Sequence, residues 1–312
     1  MENNLYKREI YLITGPTAVG KTELSLEIAQ ILNAEIISVD SMQIYKYFDI
    51  GTAKPSPKER KLVPHHLIDF VDPADDYDVA QFVSDAEKKI VEIWQKNKEV
   101  LLVGGTMMYL TRLIYGIFPE CGKNKNVREE LKRQIRYNGP EKLHAKLKNV
   151  DYESYKRIHP KDAKRIIRAW EVYIVTGKTI TQLQKEFHKN RPPLKIKGVA
   201  LIRDREELYK RINKRTKQMF KNGLIQEVIK ILSIGYKSNI RPFESLAYKE
   251  TIMYLKKELS LELAIHKAQQ ATRNFAKRQI TWLRSMPFIP MLNITNLSFK
   301  EILQKTQKIM LK

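Results

Sequence analysis

The chain has 312 residues, of which 57 are Lys or Arg and 35 are Asp or Glu, so its formal net charge is +22. With 43% hydrophobic residues and no stretch near the ~18 uninterrupted apolar residues of a membrane span, the composition excludes the disordered and membrane-spanning classes. The single cysteine, Cys121, excludes an internal disulfide framework and a cysteine-cluster metal site. The length predicts two domains or one domain with an insertion, and the lack of a signal-peptide pattern predicts a cytoplasmic protein.

The positive charge is concentrated in the later part of the chain. Residues 1–120 hold 13 Lys and Arg against 18 Asp and Glu, whereas residues 121–312 hold 44 against 17. Because each cation that neutralises a phosphate releases counterions, this asymmetry favours a polyanion-binding surface, with nucleic acid as the leading candidate. The alternative is a lysine-rich solvated surface, which predicts no asymmetry.

Short apolar runs alternate with helical periodicity in the first third of the chain. The runs are Ile10–Ile13, Ile36–Val39 and Val100–Val103, and apolar residues at helical spacing occupy Leu24–Leu32 and Phe82–Trp94. This alternation predicts parallel βαβ units, and the continuously apolar strands predict a sheet that is covered on both faces.

From Cys121 onward the pattern changes to basic amphipathic helices. These are predicted at Val127–Arg136, Glu141–Leu147 and Lys161–Thr176, the last ending at the C-cap Gly177. A strand at Lys195–Ile202 then precedes helices at Glu206–Phe220, Leu224–Ser233, Glu244–Lys257 and Leu261–Arg284. We therefore predict an α/β fold in which residues 1–120 and 195–312 form a parallel-sheet core with C-terminal helices, and residues 121–194 form a helical insertion.

A phosphate-binding loop (P-loop) follows the first predicted strand. Gly15, Pro16, Thr17, Ala18, Val19, Gly20, Lys21 and Thr22 match the pattern G-x-x-x-x-G-K-[ST] in full, and a predicted helix follows them. Loop N–H groups and the helix N-terminus attract a phosphate, Lys21 adds an ammonium group, and the Thr22 hydroxyl suits Mg²⁺. The loop predicts a di- or triphosphate site with Mg²⁺ as cofactor, against the alternative of a tight turn without a ligand.

The acid that hydrolytic P-loop enzymes carry at the end of a later strand is absent from Val100–Val103, which runs into Gly104, Gly105 and Thr106. Instead, Asp40 ends the second predicted strand. Because the carboxyl ends of parallel strands line one crevice, we expect Asp40 and Thr106 beside the P-loop, as a base and an orienting group. The alternatives are a turn or cap acid for Asp40 and a helix cap for Thr106.

Several blocks of sequence together resemble the tRNA dimethylallyltransferase (tRNA isopentenyltransferase) family, in its bacterial form. Besides the P-loop, they are Ser38–Tyr45, Asp49–Pro55, Pro64–Asp69, Gly104–Thr106, His159–Asp162 and Ala276–Arg284, so the resemblance spans about residues 8–285. It implies that a dimethylallyl group moves from dimethylallyl diphosphate to N6 of the adenosine 3′-adjacent to the anticodon, in tRNAs that read codons beginning with U. It also implies a P-loop core whose insertion grips the tRNA anticodon stem-loop. We expect a monomer that does not associate with membranes.

The resemblance also implies roles for individual residues. Asp40 is expected as the base, Thr106 and Lys21 as further catalytic groups, and Arg215 as a ligand of the diphosphate. The expected tRNA contacts are Asp40, Ser41, Met42, Gln43, Thr106, Arg128, Lys164, Arg165, Arg168, Tyr248, Lys249, Lys277, Arg278 and Arg284. For Arg215 and for the basic residues among the tRNA contacts, a solvated helix face is the alternative. Trp282 is expected in the core, with a platform for base stacking as the alternative. The adjacent His65 and His66 are expected in turn packing or substrate contact and not on a metal.

Two departures from the family pattern stand out. Where the family has Asp-Pro-x-x-Arg at the start of the insertion, this chain keeps only Arg128, after Asn124-Lys125-Asn126-Val127. Ala247 replaces a glycine, which puts a close approach of the backbone to tRNA in question. Two other functions stay open. A P-loop kinase for a nucleotide or small molecule predicts ATP consumption, and an RNA-binding protein with an inactive P-loop predicts tRNA binding without turnover.

Overall fold

The computed structural model of the chain describes residues 5–117 and 124–311. One parallel sheet is built from β1 (Glu9–Thr14), β2 (Ala34–Val39), β3 (His65–His66), β4 (Glu99–Gly104), β5 (Lys195–Ile202) and β6 (Met291–Asn293). Their order across the sheet is β3-β2-β4-β1-β5-β6. The predicted α/β class and its four main strands are confirmed.

The chain also forms fourteen described α-helices, and six of them follow one another between β4 and β5 in the sequence. The first group is α1 (Lys21–Leu32), α2 (Pro57–Leu62), α3 (Val79–Gln95) and α4 (Met107–Tyr115). The second is α5 (Lys125–Asn138), α6 (Pro140–Val150), α7 (Tyr152–Arg157), α8 (Ala163–Thr176) and α9 (Ile180–Asn190). The third is α10 (Arg205–Lys221), α11 (Leu224–Ser233), α12 (Tyr248–Leu255), α13 (Leu261–Arg284) and α14 (Phe299–Met310). None of the described helices is both long enough and apolar enough to cross a membrane.

The chain divides into two compact units. The first consists of Met1–Ile114 and Leu194–Lys312, and the second of Tyr115–Pro193. The junctions therefore fall at residues 114–115 and 193–194, where the sequence predicts 120–121 and 194–195. The predicted boundary at 120–121 and Cys121 lie outside the described residues.

The first unit is organised by its apolar strands. Ile13, Ile36 and Leu101 from neighbouring strands are fully or almost fully buried and share one cluster with Leu24 and Ile28 of α1. The register pairs both Thr14 and Val39 with Gly104, so β1, β2 and β4 end at the same level. The residues that follow these strands are thereby brought to one edge of the sheet, as the parallel arrangement predicts.

The second unit has a smaller core of its own. Leu131, Leu143, Leu147, Ile158, Ile166 and Ala169 form its buried cluster. Helix α5 is capped by Asn124, whose side chain accepts from the N–H groups of Asn126 and Val127. An asparagine thus caps this helix where the family pattern has an aspartate. The predicted C-cap Gly177 is confirmed, with φ of 70°.

Two sequence predictions about the later helices are wrong. The predicted helix Glu244–Lys257 begins only at Tyr248, because Ala247 has φ of 68° and cannot continue a right-handed helix. The segment before it, Arg241–Glu244, is a 3₁₀ turn. Trp282, expected in the core, lies on the surface of α13 and is 42% exposed.

Candidate active site

The P-loop joins β1 to α1 and wraps around the side chain of Lys21. Gly15 and Gly20 have φ of 145° and 115°, and a Cβ on Gly15 would lie 2.5 Å from the carbonyl oxygen of Leu201. Only glycine fits such a position without strain. The Lys21 ammonium donates to the carbonyl oxygens of Gly15 and Pro16, at 2.9 Å each. The loop therefore holds a cation at its centre.

The electrostatic surroundings of Lys21 favour loss of its proton. Burial and, to a smaller extent, the nearby Arg215 guanidinium lower the pKa of Lys21, Asp40 opposes both effects, and the net pKa is about 8. A negatively charged ligand at this point would stabilise the ammonium form, since an opposite charge raises the pKa of a cation.

Three arginines from α10 and the segment before it bind successive residues of the P-loop. The Nε groups of Arg203 and Arg211 donate to the carbonyl oxygens of Val19 and Ala18, at 3.0 and 2.9 Å. Arg215 donates through Nη2 to the Thr17 hydroxyl. The Arg215 Nε group is buried and finds no hydrogen-bond acceptor among the described residues. Burial also lowers the pKa of Arg215 to about 10. This arginine thus has a free N–H group for an anionic ligand.

Asp40 follows β2 and faces the P-loop. One carboxylate oxygen, Oδ1, accepts from the backbone N–H groups of Met42 and Gln43, at 2.8 and 3.2 Å. Asp40 therefore also acts as a turn acid, the alternative role from the sequence analysis, but only Oδ1 is used for it. Burial raises the pKa of Asp40, while these two hydrogen bonds and the charges of Lys21 and Arg215 lower it. The fixed orientation leaves Oδ2 as the oxygen that can accept a proton.

Thr106 stands between β4 and α4. Its hydroxyl accepts from the N–H group of Ser41 at 3.2 Å, and its own N–H donates to the carbonyl oxygen of Val39. The close approach of the two strand ends depends on Gly104, where a Cβ would lie 2.1 Å from the Val39 oxygen. Thr106 is thereby tied to the segment that carries Asp40.

Gln279 of α13 is a site residue for which the sequence analysis predicts no role. Its Oε1 accepts from the N–H group of Thr17 at 2.9 Å, and its Nε2 donates to the carbonyl oxygen of Gly105 at 2.8 Å. One amide thus connects the P-loop to the end of β4. A sequence pattern could have indicated this role, because Gln279 is a long polar residue on the buried face of α13. The same face carries Ala268, Thr272, Ala276 and Leu283.

Two cavities meet at these residues. The first has a volume of about 560 Å³ and is lined by the P-loop, by Asp40 and Gln43, and by Arg211, Lys214 and Arg215. The second, of about 350 Å³, is lined by Ser41, Met42, Thr106, Arg241, Ala247 and Arg278. Thr17, Asp40, Thr52, Arg215 and Phe275 line both. Both volumes lie in the range of small-molecule sites, roughly 300–1,000 Å³.

Known proteins are similar to this chain over most of its length. Residues 43–286 match the model of the family described as IPP transferase. The chain belongs to the IPP transferase family. It is 43% identical over 302 residues to a tRNA dimethylallyltransferase of Thermoanaerobacter sp. (strain X514), which covers 95% of both chains. It is 44% identical to the tRNA dimethylallyltransferase of Halothermothrix orenii, over 96% of this chain and 92% of that protein.

Solved members of the IPP transferase family have the same fold. The tRNA isopentenylpyrophosphate transferase of Bacillus halodurans aligns with a TM-score of 0.73 and 35% identity, over 96% of this chain and 94% of that chain. A eukaryotic dimethylallyltransferase, whose structures capture it acting on tRNA, aligns with a TM-score of 0.75 and 27% identity. That alignment covers 97% of this chain and 78% of the eukaryotic one.

The residues expected from the family to contact tRNA fall into different surroundings in the first unit. Asp40, Ser41, Met42, Thr106 and Arg278 line the second cavity, and Gln43 lines the first. Lys249, Lys277 and Arg284 are exposed and line neither cavity.

Tyr248 corrects the expectation of a tRNA contact. Its side chain is completely buried, and its ring packs 4.8 Å from that of Phe48. The hydroxyl donates to Glu227 and accepts from the N–H group of Gly51. A side chain enclosed in this way does not reach RNA in this arrangement.

The basic residues of the insertion also differ from one another. Arg128 and Arg168 both donate to Glu171, which is fully buried, and the two arginines lower the pKa of this glutamate. Arg165 is exposed and pairs with Asp162 at 3.1 Å, and Lys164 is exposed. The sequence pattern does not distinguish these environments.

The two adjacent histidines have separate partners. His65 Nδ1 lies 2.7 Å from the carbonyl oxygen of Val63, and His66 Nε2 lies 2.6 Å from the carboxylate of Glu35. His65 also lines the first cavity. Within residues 5–117 and 124–311, no three His, Cys, Asp or Glu side chains are grouped so that they could hold a metal ion.

Proposed function

We propose that this chain is a tRNA dimethylallyltransferase that moves a dimethylallyl group from dimethylallyl diphosphate to N6 of the adenosine 3′-adjacent to the anticodon. Dimethylallyl transfer to tRNA is the activity in the names of the two relatives described above. The observation that carries the proposal is the pair of cavities that meet at Asp40 and Arg215. One cavity is rich in cations, and the other is open to a second substrate beside a base.

The first cavity suits the diphosphate. Lys21 and Arg215 line it together with the P-loop. Their side chains are already held in place by the carbonyl oxygens of Gly15 and Pro16 and by the Thr17 hydroxyl. As the bond between C1 and the diphosphate oxygen breaks, its electron pair stays on the diphosphate. Preorganised cations stabilise that growing charge without reorganisation during the reaction.

Asp40 suits the role of base for the nucleophile. The N6 amine of adenine is a poor nucleophile because its lone pair is delocalised into the ring. As N6 forms its bond to C1, the amine proton passes to the free oxygen Oδ2 of Asp40. The other oxygen, held by Met42 and Gln43, fixes the direction of that transfer. Thr106 holds the backbone beside Asp40 through Ser41.

Mg²⁺ is the proposed cofactor, and the Thr22 hydroxyl would hold it together with the diphosphate. Thr22 lines the first cavity beside Lys21 and Asp40. A site built from one or two protein oxygens and substrate phosphates is typical of Mg²⁺. When bound there, the ion would supply further neutralisation of the leaving group.

The second cavity suits the target nucleotide of the tRNA anticodon stem-loop. Unstacking an adenine costs a few kcal/mol and is cheapest in a loop. Arg241 and Arg278 line this cavity and can meet the flanking phosphates. We propose that the active form is a monomer. We place it in the cytoplasm, where its tRNA substrate is made.

The experiment supplies unmodified tRNA with either prenyl-labelled dimethylallyl diphosphate or γ-labelled ATP. We expect label to enter tRNA only from the allyl diphosphate, with one diphosphate released for each prenyl group. A matched tRNA with guanosine at the target position lacks N6 and should accept none. ATP consumption without RNA would support the kinase alternative. Binding of tRNA without incorporation of the prenyl label would support an RNA-binding protein with an inactive P-loop.

A further inference from the structure

A backbone turn beside both cavities is held from outside by two side chains that the reaction itself does not use. The turn begins at Asp49, and its residues Gly51 and Thr52 line the second cavity. Glu227 Oε2, on α11, accepts from the N–H groups of Asp49 and Ile50, at 3.2 and 2.8 Å. The Tyr248 hydroxyl accepts from the next N–H group, that of Gly51, at 3.1 Å.

Glu227 and Tyr248 are also hydrogen-bonded to each other. The Tyr248 hydroxyl donates to Glu227 Oε1 at 2.5 Å, so both carboxylate oxygens are engaged. The contact with Gly51 requires a glycine, because a Cβ there would lie 2.3 Å from Cε2 of Tyr248. Phe48 and Phe243 pack against the tyrosine ring. Such a satisfied, partly buried polar network gives a segment one defined position.

From the turn, hydrogen bonds lead inward to the base. The carbonyl oxygens of Thr52 and Ala53 both accept from Nε2 of Gln43, at 3.2 Å each. Gln43 Oε1 accepts from the Ser38 hydroxyl, which orients the amide. The backbone N–H of the same Gln43 donates to Oδ1 of Asp40. A continuous path therefore runs from Glu227 and Tyr248 through the turn and Gln43 to the carboxylate.

We propose that Glu227 and Tyr248 are positioning residues for the transfer reaction, which fix the turn Asp49–Ala53 and, through Gln43, the carboxylate of Asp40. This inference rests on the proposed function, in which Asp40 is the base. It gives the buried Tyr248 a role in place of the expected tRNA contact. It also accounts for a carboxylate, that of Glu227, which accepts from two backbone N–H groups and lines neither cavity.

The test measures prenyl transfer by the Tyr248→Phe and Glu227→Met variants. Tyr248→Phe removes one hydroxyl and keeps the buried ring, and we expect kcat to fall roughly tenfold. Glu227→Met frees two N–H groups and should cost up to about a hundredfold, the scale of a small misplacement in an active site. The KM for dimethylallyl diphosphate and the Kd for tRNA should stay within about twofold.

The pH dependence separates positioning from general destabilisation. The N–H group of Gln43 lowers the pKa of Asp40. If this hydrogen bond is weakened, the pKa of Asp40 rises. The acidic limb of the kcat profile should therefore shift to higher pH in both variants. Tyr77→Phe is the matched control, since buried Tyr77 also donates its hydroxyl to a carboxylate, that of Asp85, at 2.9 Å. We expect the control to lower the melting temperature while kcat and the acidic limb stay unchanged.

A second substitution decides whether the effect passes through Asp40. In an Asp40→Asn background, adding Tyr248→Phe should change kcat by less than twofold, because the group that it positions is already lost. A full tenfold loss in that background would overturn the inference, and so would parental kcat and pH profile in Tyr248→Phe. Failure of the parent enzyme to label tRNA would instead contradict the proposed function.

Discussion

The first unit and the insertion use basic residues in opposite ways. In the first unit, Lys21 and Arg215 converge on one cavity, and burial lowers the pKa of both. In residues 121–194, 19 Lys and Arg stand against 8 Asp and Glu, and Lys164 and Arg165 are exposed. Burying a cation costs free energy but allows it to select one ligand, whereas many exposed cations together attract polyanions without selecting a particular group. Substitutions in the first unit should change turnover, and those in the insertion should change tRNA affinity.

The largest expected effect comes from Asp40→Asn. Asparagine keeps the size and can still accept hydrogen bonds, but it cannot take the proton from N6. We expect kcat to fall by at least about a hundredfold, since loss of a general base costs ~10²–10⁴-fold. Single-turnover rates and both affinities measure this.

Two other outcomes would reassign Asp40. Partial rescue by high Mg²⁺ together with weak diphosphate binding would make it a metal ligand. Near-parental kcat with a small loss of stability, about 1 kcal/mol or less, would make it only a turn residue.

Lys21→Ala should reduce turnover by about 10²–10³-fold, the scale of losing one preorganised charge-stabilising donor. The affinity for tRNA, measured by filter binding, should barely change, because Lys21 lines only the diphosphate cavity. An equal collapse of tRNA binding would mean that the P-loop holds an RNA phosphate.

The lowered pKa of Lys21 predicts a pH dependence with a definite sign. In the proposed mechanism the ammonium form of Lys21 binds the diphosphate, and this form is lost from the free enzyme as the pH rises through about 8. We therefore expect kcat/KM for dimethylallyl diphosphate to fall above this pH, by about tenfold per pH unit at the limit. The kcat should stay nearly constant there, because the bound diphosphate keeps Lys21 charged. A constant kcat/KM up to pH 9.5 would contradict this.

Within the insertion, Arg165→Ala and Arg168→Ala form a matched pair. The side chain of Arg165 is 72% exposed, whereas Arg168 binds the fully buried Glu171. We expect Arg165→Ala to reduce the slope of log K for tRNA against log salt by about one, with an unchanged melting temperature. Arg168→Ala should instead destabilise the fold by about 1–3 kcal/mol, because it removes a partner of a buried carboxylate. Equal salt slopes for parent and Arg165→Ala would show that the exposed charge is only solvated surface.

The smallest expected effect is a gain. Ala247 has φ of 68°, which is strained for any residue with a Cβ, at a cost of order 1–3 kcal/mol. Ala247→Gly relieves that strain, which stabilises the folded state. Glycine also increases the conformational entropy of the unfolded chain, and this offsets part of the stabilisation. We expect the free energy of unfolding to rise by about 1 kcal/mol in urea titrations. A lower stability would mean that the Ala247 methyl group contributes packing that outweighs the strain.

Local patterns predicted much of the fold. The apolar runs located β1, β2, β4 and β5, because strands buried on both faces are apolar throughout. Neither β3, with two residues, nor β6, with three, is long enough for such a pattern. Helix α12 was placed too early because Ala247, unlike the family's glycine, gives no local sign of a left-handed backbone.

The site was predictable where its residues follow one another in sequence. The P-loop and Asp40 could be found from strand ends and spacing. Glu227 could not, since its partner Asp49 lies 178 residues away and nothing local distinguishes it from other helical glutamates. Tyr248 was assigned to the wrong surroundings for the same reason, because its burial depends on Phe48, which only the fold brings near.

The contact between Gln279 and Thr17 has a consequence for the order of synthesis. The two residues are 262 positions apart, near opposite ends of the chain. A chain still being translated can form β1 and the P-loop early, but it cannot close this contact until α13 has been made. A truncated or half-made product therefore lacks the tie between its P-loop and the end of β4, and premature termination before residue 279 should leave a protein without a complete phosphate site.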